Sequence, residues 1–198
     1  MLAGSSATVG VDEAGRGSLA GPVVAAAYQF HKSGVQLEGL DDSKKLSRKK
    51  REGLFERLTD GEIGRWAVGE ASLEEIEEHN ILVASQIAMA RALKGLGDVT
   101  GVILVDGLPA KHLKKEHVAV VGGDGICPSI AAASVVAKVS RDRTLLQFGQ
   151  LYPMYGFSKN CGYGTAEHLQ ALRVHGPCPL HRRSFLPLGS KTMSRVEK

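Results

Sequence analysis

Short apolar runs recur along the chain and have the length and composition of β-strands. They cover residues 7–11, 22–30, 65–71, 101–105 and 117–121. Polar residues or glycines bound each run, as is typical of strands in a globular core. Only a short glycine-containing segment separates the first two runs, so we expect them to be antiparallel neighbours.

Helical patterns lie between the later runs and in the C-terminal third. Ser47, Ser72 and Thr165 are N-cap candidates, and a glutamate three residues after Ser72 completes a capping-box pattern. A longer apolar helix is predicted over 80–94, ending at Gly95. Strands and helices therefore share the chain, which predicts an α/β organisation.

Composition adds bounds on size and on the kind of partner. The chain has 198 residues, 43% of them hydrophobic, which is enough for a proper core and favours a single domain over 1–198. Residues 190–198 carry no core pattern and are expected to fray. The formal net charge of +4 fits a polyanionic partner.

Cysteines and apolar stretches bear on the compartment. Cys127, Cys161 and Cys178 are scattered, which argues against a disulfide framework or a zinc ribbon. The N-terminus lacks the basic and apolar regions of a signal peptide, and no uncharged apolar run approaches the ~20 residues of a membrane span. We expect a cytoplasmic protein without membrane contact, and a monomer because no exposed apolar heptad is evident.

Acidic residues follow three of the apolar runs. Asp12 and Glu13 follow the first, Asp106 follows 101–105, and Asp124 comes after the glycines that end 117–121. A turn role for Asp106 and a helix-cap role for Asp124 are the structural alternatives. Carboxylates that converge in one cleft repel one another, and divalent cations would relieve that repulsion. All-oxygen ligands suit two Mg²⁺ or Mn²⁺ ions, and a metal pair can support hydrolysis of a phosphodiester.

Glycines and basic residues supply candidate phosphate contacts. In Gly15-Arg16-Gly17, the glycines let main-chain N–H groups approach a phosphate while the arginine adds charge. Lys44, with Lys45, precedes the helix capped by Ser47, where an anion can bind.

Three later features have both a structural and a functional interpretation. Ser134, Lys138 and Arg141 share one face of a helix predicted over 129–143, and this stripe either faces solvent or lines a nucleic-acid groove. Tyr163 lies between two glycines in a predicted loop and either meets a ligand or covers core. The segment 181–185 is a basic patch, in which Arg183 either touches DNA or holds the C-terminal helix.

Six segments occur together in chain order and carry a family resemblance. They are Asp-Glu-Ala-Gly-Arg-Gly (12–17), Asp-Ser-Lys-Lys-Leu (42–46), Val-Asp-Gly (105–107), Ala-Ser-Val-Val-Ala-Lys (133–138), Gly-Tyr-Gly-Thr (162–165) and His-Arg-Arg-Ser-Phe (181–185). Together they resemble bacterial ribonuclease HII, a type 2 ribonuclease H, from about Val9 to Pro187.

The resemblance implies a fold and an activity. The fold would be the ribonuclease H-like α/β fold, a mixed five-stranded sheet flanked by helices with a helical C-terminal part. The activity would be cleavage of RNA in RNA/DNA hybrids and nicking of duplex DNA 5′ to a single embedded ribonucleotide. The products would carry a 3′-hydroxyl and a 5′-phosphate. The implied roles are ribonucleotide excision repair and RNA primer removal.

The resemblance also implies roles for individual residues. The metal-binding catalytic carboxylates would be Asp12, Glu13, Asp106 and Asp124. The loop Gly15, Arg16 and Gly17 would read the 2′-hydroxyl, the group that distinguishes RNA from DNA, and Tyr163 would stack on the sugar beside the cut. The remaining substrate contacts would come from Lys44, Ser134, Lys138 and Arg183.

Two positions depart from the family pattern. Cys161 and Gly122 stand where lysines are usual, with Lys159 a candidate substitute for the first.

Two other functions stay open. One is a two-metal DNA nuclease or resolvase that does not recognise ribose, and the other is a non-catalytic hybrid-binding module. A nucleotide-binding protein is disfavoured because the glycine spacing matches neither a Walker A motif nor a dinucleotide fingerprint.

Overall fold

The computed structural model describes residues 8–32, 34–35, 37–40 and 46–186. The strands are β1 (Thr8–Ala14), β2 (Val23–Phe30), β3 (Gly64–Ala71), β4 (Val102–Asp106) and β5 (Val118–Val120). The helices are α1 (Arg48–Thr59), α2 (Leu73–Leu96), α3 (Pro128–Leu151), α4 (Phe157–Asn160) and α5 (Ala166–His175). Short 3₁₀ turns lie at Gly123–Gly125, Pro153–Tyr155 and Arg183–Phe185.

The strands form one mixed sheet in the order β3-β2-β1-β4-β5. The first three strands are antiparallel neighbours, whereas β1, β4 and β5 run parallel to one another. In the β1–β4 ladder Val11 lies opposite Val105, so the next residues, Asp12 and Asp106, come at the same level of the sheet. The α/β prediction, the mixed five-stranded sheet and the antiparallel first pair are confirmed.

Helices cover both faces of the sheet because successive strand residues point to opposite sides. On one face Val23, Ala25 and Ala27 of β2 join a buried cluster with α2. On the other, Ala26 and Tyr28 join a cluster with α1 and α3. The alternation in β2 therefore places apolar residues in two separate cores.

Gly10 lets α3 come close to the centre of the sheet. A Cβ atom on Gly10 would lie 2.0 Å from the carbonyl carbon of Ser129 and 2.2 Å from the nitrogen of Ile130. Only a residue without a side chain permits this contact between β1 and the first turn of α3. As a result, α3 runs directly past the end of β1 that carries Asp12.

The C-terminal part forms a third cluster beside the sheet. Leu145 at the end of α3 packs with Tyr155, Phe157, Leu172 of α5 and Leu186. This confirms the helical C-terminal part implied by the resemblance. No helix within the described ranges is long and apolar enough to cross a membrane.

The predicted helix starts at Ser47, Ser72 and Thr165 are confirmed, while the C-terminal end of α2 differs from expectation. Ser47, Ser72 and Thr165 each accept a bond from a backbone N–H in the first turn, and Ser72 forms the full capping box. Helix α2 continues past Gly95 to Leu96, and Gly97 is its C-cap.

Helix α2 is interrupted at Asn80, where the sequence predicted that the longer apolar helix begins. Asn80 has φ 67° inside α2, and its side chain caps the second half by accepting from Leu82 N and Val83 N. The expected loop before Tyr163 also contains α4, a single helical turn. Asn160 stabilises the end of that turn by accepting a bond from Gly162 N.

Candidate active site

The predicted carboxylates come from three neighbouring elements at one edge of the sheet. Asp12 is near the end of β1 and only 5% exposed, and Asp106 is the last residue of β4. Asp124, 7% exposed, lies in the 3₁₀ turn that follows β5. The Asp106 Oδ1 atom accepts a bond from Gly123 N at 2.7 Å, which ties β4 to the turn carrying Asp124.

The helix-cap alternative for Asp124 is wrong, because the N-cap of α3 is Cys127. One oxygen of Asp106 accepts a hydrogen bond from the backbone of the turn at Gly123, so the turn role expected for Asp106 as a structural alternative is correct for that oxygen. The bond also fixes the Asp106 side chain beside the neighbouring acid.

Negative charge is concentrated around Asp12. Burial raises the pKa of Asp12 well above its ordinary value, and the charges of Glu13 and Asp106 raise it further. Bonds from Glu13 N, at 2.7 Å, and from the Ser134 hydroxyl stabilise the ionised form. Carboxylates that disfavour one another's ionisation provide the electrostatic setting in which a cation binds strongly.

The donors suit a hard divalent cation, although they do not already surround a common point. Among the residues that the structure describes, no group of three or more His, Cys, Asp or Glu side chains is arranged to hold a metal. Glu13 points its Oε1 atom at Arg16 Nη1, 3.2 Å away. The donors are all carboxylate oxygens, which match Mg²⁺ or Mn²⁺ in chemistry. A shared ion would require these side chains to draw together.

The glycine–arginine–glycine loop follows directly from β1. Gly15 is buried with φ 96°, whereas Arg16 and Gly17 are exposed. Ser18 Oγ donates to Gly15 O at 3.1 Å and to Ala20 O at 3.1 Å, which closes the loop from beneath. The loop thus presents exposed backbone and one cation next to the carboxylates.

The polar stripe of α3 is not a solvent-facing surface. Ser134 is buried against Asp12, and Lys138 Nζ forms an ion pair with Asp142 Oδ1 at 2.7 Å. Arg141 has 0% exposure and lies beneath the loop after β1. The stripe therefore runs along the inner side of the site, with its first residue at the acids and its last under the loop.

Tyr163 lies at the other side of this stripe. Its ring is half-buried, with Lys138 Nζ 5.3 Å and Arg141 Cζ 5.6 Å from the ring centroid. Tyr163 O accepts a bond from His168 Nδ1 at 2.9 Å. The structure thus brings Tyr163 near the helix that also contacts Asp12.

The prediction of a basic surface patch over 181–185 is largely wrong. His181 is 4% and Arg182 0% exposed, because both turn into the protein, whereas Arg183 is exposed. Cys161 takes a left-handed conformation with φ 49°. Lys44 and Lys45 lie outside the described residues.

The buried histidines His168 and His181 support this site, and the local sequence did not show that they are buried. His181 Nε2 and His168 Nε2 are 3.0 Å apart, and Cys178 N donates to His181 Nδ1. His181 therefore carries its proton on Nε2 and donates to His168, which donates in turn to Tyr163 O. No sequence signal distinguishes such residues from a basic surface.

A mixed sheet whose parallel central strands end in carboxylates, beside an exposed glycine–arginine–glycine loop, is the arrangement of a nuclease with the ribonuclease H-like fold. Comparison with known proteins narrows this class. A sequence model of the family described as Ribonuclease HII matches residues 9–187. The chain belongs to the ribonuclease HII family.

Individual relatives agree with this assignment. The chain is 51% identical over 179 residues to the ribonuclease HII of Paraburkholderia xenovorans (strain LB400), covering 90% of this chain and 72% of that protein. It is 52% identical over 179 residues to the ribonuclease HII of Burkholderia pseudomallei (strain 1710b), covering 90% and 83%. The chain is therefore an enzyme of the ribonuclease H class, and family membership supports cleavage of RNA/DNA hybrids.

Solved structures share the fold. The ribonuclease H2 of Pyrococcus horikoshii OT3 superposes with a TM-score of 0.73 at 29% identity, covering 90% of this chain and 93% of that one. The ribonuclease HII in the PCNA complex from Archaeoglobus fulgidus has a TM-score of 0.75 at 25% identity, covering 91% and 96%. A ribonuclease HIII, Bst-RNase HIII, solved in complex with Mn²⁺, has a TM-score of 0.67 at 18% identity, covering 88% and 64%.

Proposed function

We propose that this enzyme hydrolyses RNA in RNA/DNA hybrids and also nicks duplex DNA 5′ to a single embedded ribonucleotide, leaving a 3′-hydroxyl and a 5′-phosphate. These activities would serve ribonucleotide excision repair and removal of RNA primers. The observation that carries the proposal is that the elements bearing Asp12, Asp106 and Asp124 end at the same edge of the sheet, beside the exposed loop at Arg16.

Asp12, Glu13, Asp106 and Asp124 would hold two divalent cations, Mg²⁺ or Mn²⁺. Bound there, such ions lower the pKa of water and stabilise the leaving oxygen of a phosphodiester. The chain's own residues orient the ligands: Gly123 N holds Asp106, and Ser134 donates to Asp12. Relief of the repulsion that raises the pKa of Asp12 would favour binding of the ions.

Recognition of ribose is proposed for the loop Gly15-Arg16-Gly17. Gly17 has no side chain, so its exposed atoms are backbone atoms, and these can bond a 2′-hydroxyl, which both donates and accepts. The ring of Tyr163 would stack on the neighbouring sugar. Phosphate contacts are proposed for Lys44, Ser134, Lys138 and Arg183, of which Lys138 pairs with Asp142 and lies 5.3 Å from the ring centroid of Tyr163.

The test uses a labelled DNA duplex with one ribonucleotide, incubated with Mg²⁺, with Mn²⁺ and with EDTA. We expect a metal-dependent nick on the 5′ side of the ribonucleotide, and no cut in an all-DNA duplex of the same sequence. Cutting of both duplexes would indicate a nuclease that does not read ribose. No cutting by folded protein with either metal would refute the catalytic proposal and favour the hybrid-binding module.

A further inference from the structure

The guanidinium of Arg141 is fully buried under the loop that follows β1. Its Nε donates to Pro22 O at 2.9 Å, and its Nη2 donates to Ala20 O at 2.9 Å and to Ser18 Oγ at 2.5 Å. Its Nη1 donates to Cys161 O at 2.9 Å. One side chain on α3 therefore binds two segments, 15–22 and 161–163, that are far apart in sequence.

Both segments also lie directly against this guanidinium. A Cβ atom on Gly15 would be 2.0 Å from Arg141 Nε, so Gly15 has to be a glycine for the loop to rest on the arginine. On the other side, Arg141 Cζ lies 5.6 Å from the ring centroid of Tyr163. The two groups proposed to recognise ribose and its neighbouring sugar are thus in contact with the same side chain.

The two segments touch each other as well. Leu19 N donates to Gly162 O at 2.8 Å, and a Cβ atom on Gly162 would lie 2.5 Å from Ala20 O. This close packing means that a shift of either segment moves the other. Arg141 lies where the two segments contact each other and bonds to both.

Arg182 is also fully buried, but its hydrogen bonds differ from those of Arg141. Arg182 donates to Arg16 O at 3.0 Å, to Gly21 O at 2.9 Å and to Pro22 O at 3.1 Å, all within the first segment. Arg141 differs because its bonds reach both segments. Arg182 secures one loop, whereas Arg141 sets the relation between two.

Burying a guanidinium is costly unless its donors are satisfied. In return, its planar, rigid fork fixes several acceptors in one geometry, which a lysine ammonium on a flexible stem does not do. Loss of that geometry matters most where recognition depends on backbone atoms, because these cannot readjust as side chains do.

We propose that Arg141 is a positioning residue that sets the Gly15-Arg16-Gly17 loop at the correct distance from Tyr163, and thereby determines selectivity for an RNA–DNA junction. The proposal rests on the proposed function, since it concerns how the same site reads its substrate.

The test compares Arg141→Lys with the matched control Arg143→Lys. Arg143 is on the same helix, but it pairs with Glu52 and packs over Phe55, away from both segments. For each protein, kcat/KM is measured on the single-ribonucleotide duplex and on a uniform RNA/DNA hybrid, with the melting temperature as a check on folding. Arg141→Lys should lower the ratio of the two values by about tenfold or more, since small misplacements have effects of this size. Arg143→Lys should leave the ratio unchanged.

A merely structural role would lower both kcat/KM values in parallel and keep their ratio, and that outcome would overturn the proposal. If Arg141→Lys does not fold, Ser18→Ala removes one acceptor of the guanidinium and should shift the ratio in the same direction. An unchanged ratio in that variant would likewise overturn it. If the native protein fails to cut the single-ribonucleotide duplex, the proposed function itself is refuted, so the two failures are distinguishable.

Discussion

The buried pair His168–His181 predicts a loss of stability in mild acid. Burial and, to a smaller extent, the positive charge that His168 would carry together lower the pKa of His181 to about 4. Burial also lowers the pKa of His168. Each ring already uses both nitrogens in hydrogen bonds as a neutral species, so an added proton leaves one bond without an acceptor.

The direction in which stability changes with pH follows from the number of protons bound by the folded and the unfolded state. Between pH 6.5 and about 4 the unfolded chain binds a proton at position 181, while the folded chain does not. The contribution of His181 to stability is therefore fully present above pH 6.5 and is lost as the pH falls to about 4. At 1.36 kcal/mol per pKa unit, the loss has an upper limit of about 3 kcal/mol.

The assay is urea unfolding at a series of pH values from neutrality to about 4, with the unfolding free energy extrapolated to water. His181→Gln cannot titrate, so its free energy should fall less steeply over this range than that of the native protein. Carboxylates titrate in both proteins and cancel in the difference.

His175→Gln is the matched control, because His175 is exposed at the end of α5. It should retain the pH dependence of the native protein. Parallel curves for the native protein and His181→Gln would refute the reasoning, since the buried ring would then contribute nothing to the pH dependence.

Three further substitutions test the site and the fold. Asp106→Asn should abolish cleavage while leaving hybrid binding largely intact, measured by a gel shift in EDTA; lost binding in a folded variant would contradict this. Tyr163→Ala should lower kcat/KM on the single-ribonucleotide duplex by about tenfold, the size of one lost stacking contact, and an unchanged value would remove Tyr163 from the site. Gly10→Ala should lower the unfolding free energy by about 1–3 kcal/mol or more, because its Cβ would lie 2.0 Å from Ser129 backbone; unchanged urea denaturation would argue against that contact.

The sequence by itself determined the strands, the helix starts and the acidic residues at or just after the ends of three strands. These features are local, because apolar runs, N-caps and strand-terminal carboxylates are each read within a few residues. The sequence also carried the family resemblance through six ordered segments. The roles assigned to the individual residues on that basis stay predictions for the experiments above.

Only the tertiary structure decided how the basic residues are used. Arg141 and Arg182 have the same local appearance as surface arginines, yet both have 0% exposure. Their acceptors include backbone carbonyls as far as 121 and 166 positions away in sequence. Whether an arginine is buried depends on the presence of such acceptors, and only the folding of α3 and the C-terminal segment around the first loop creates them.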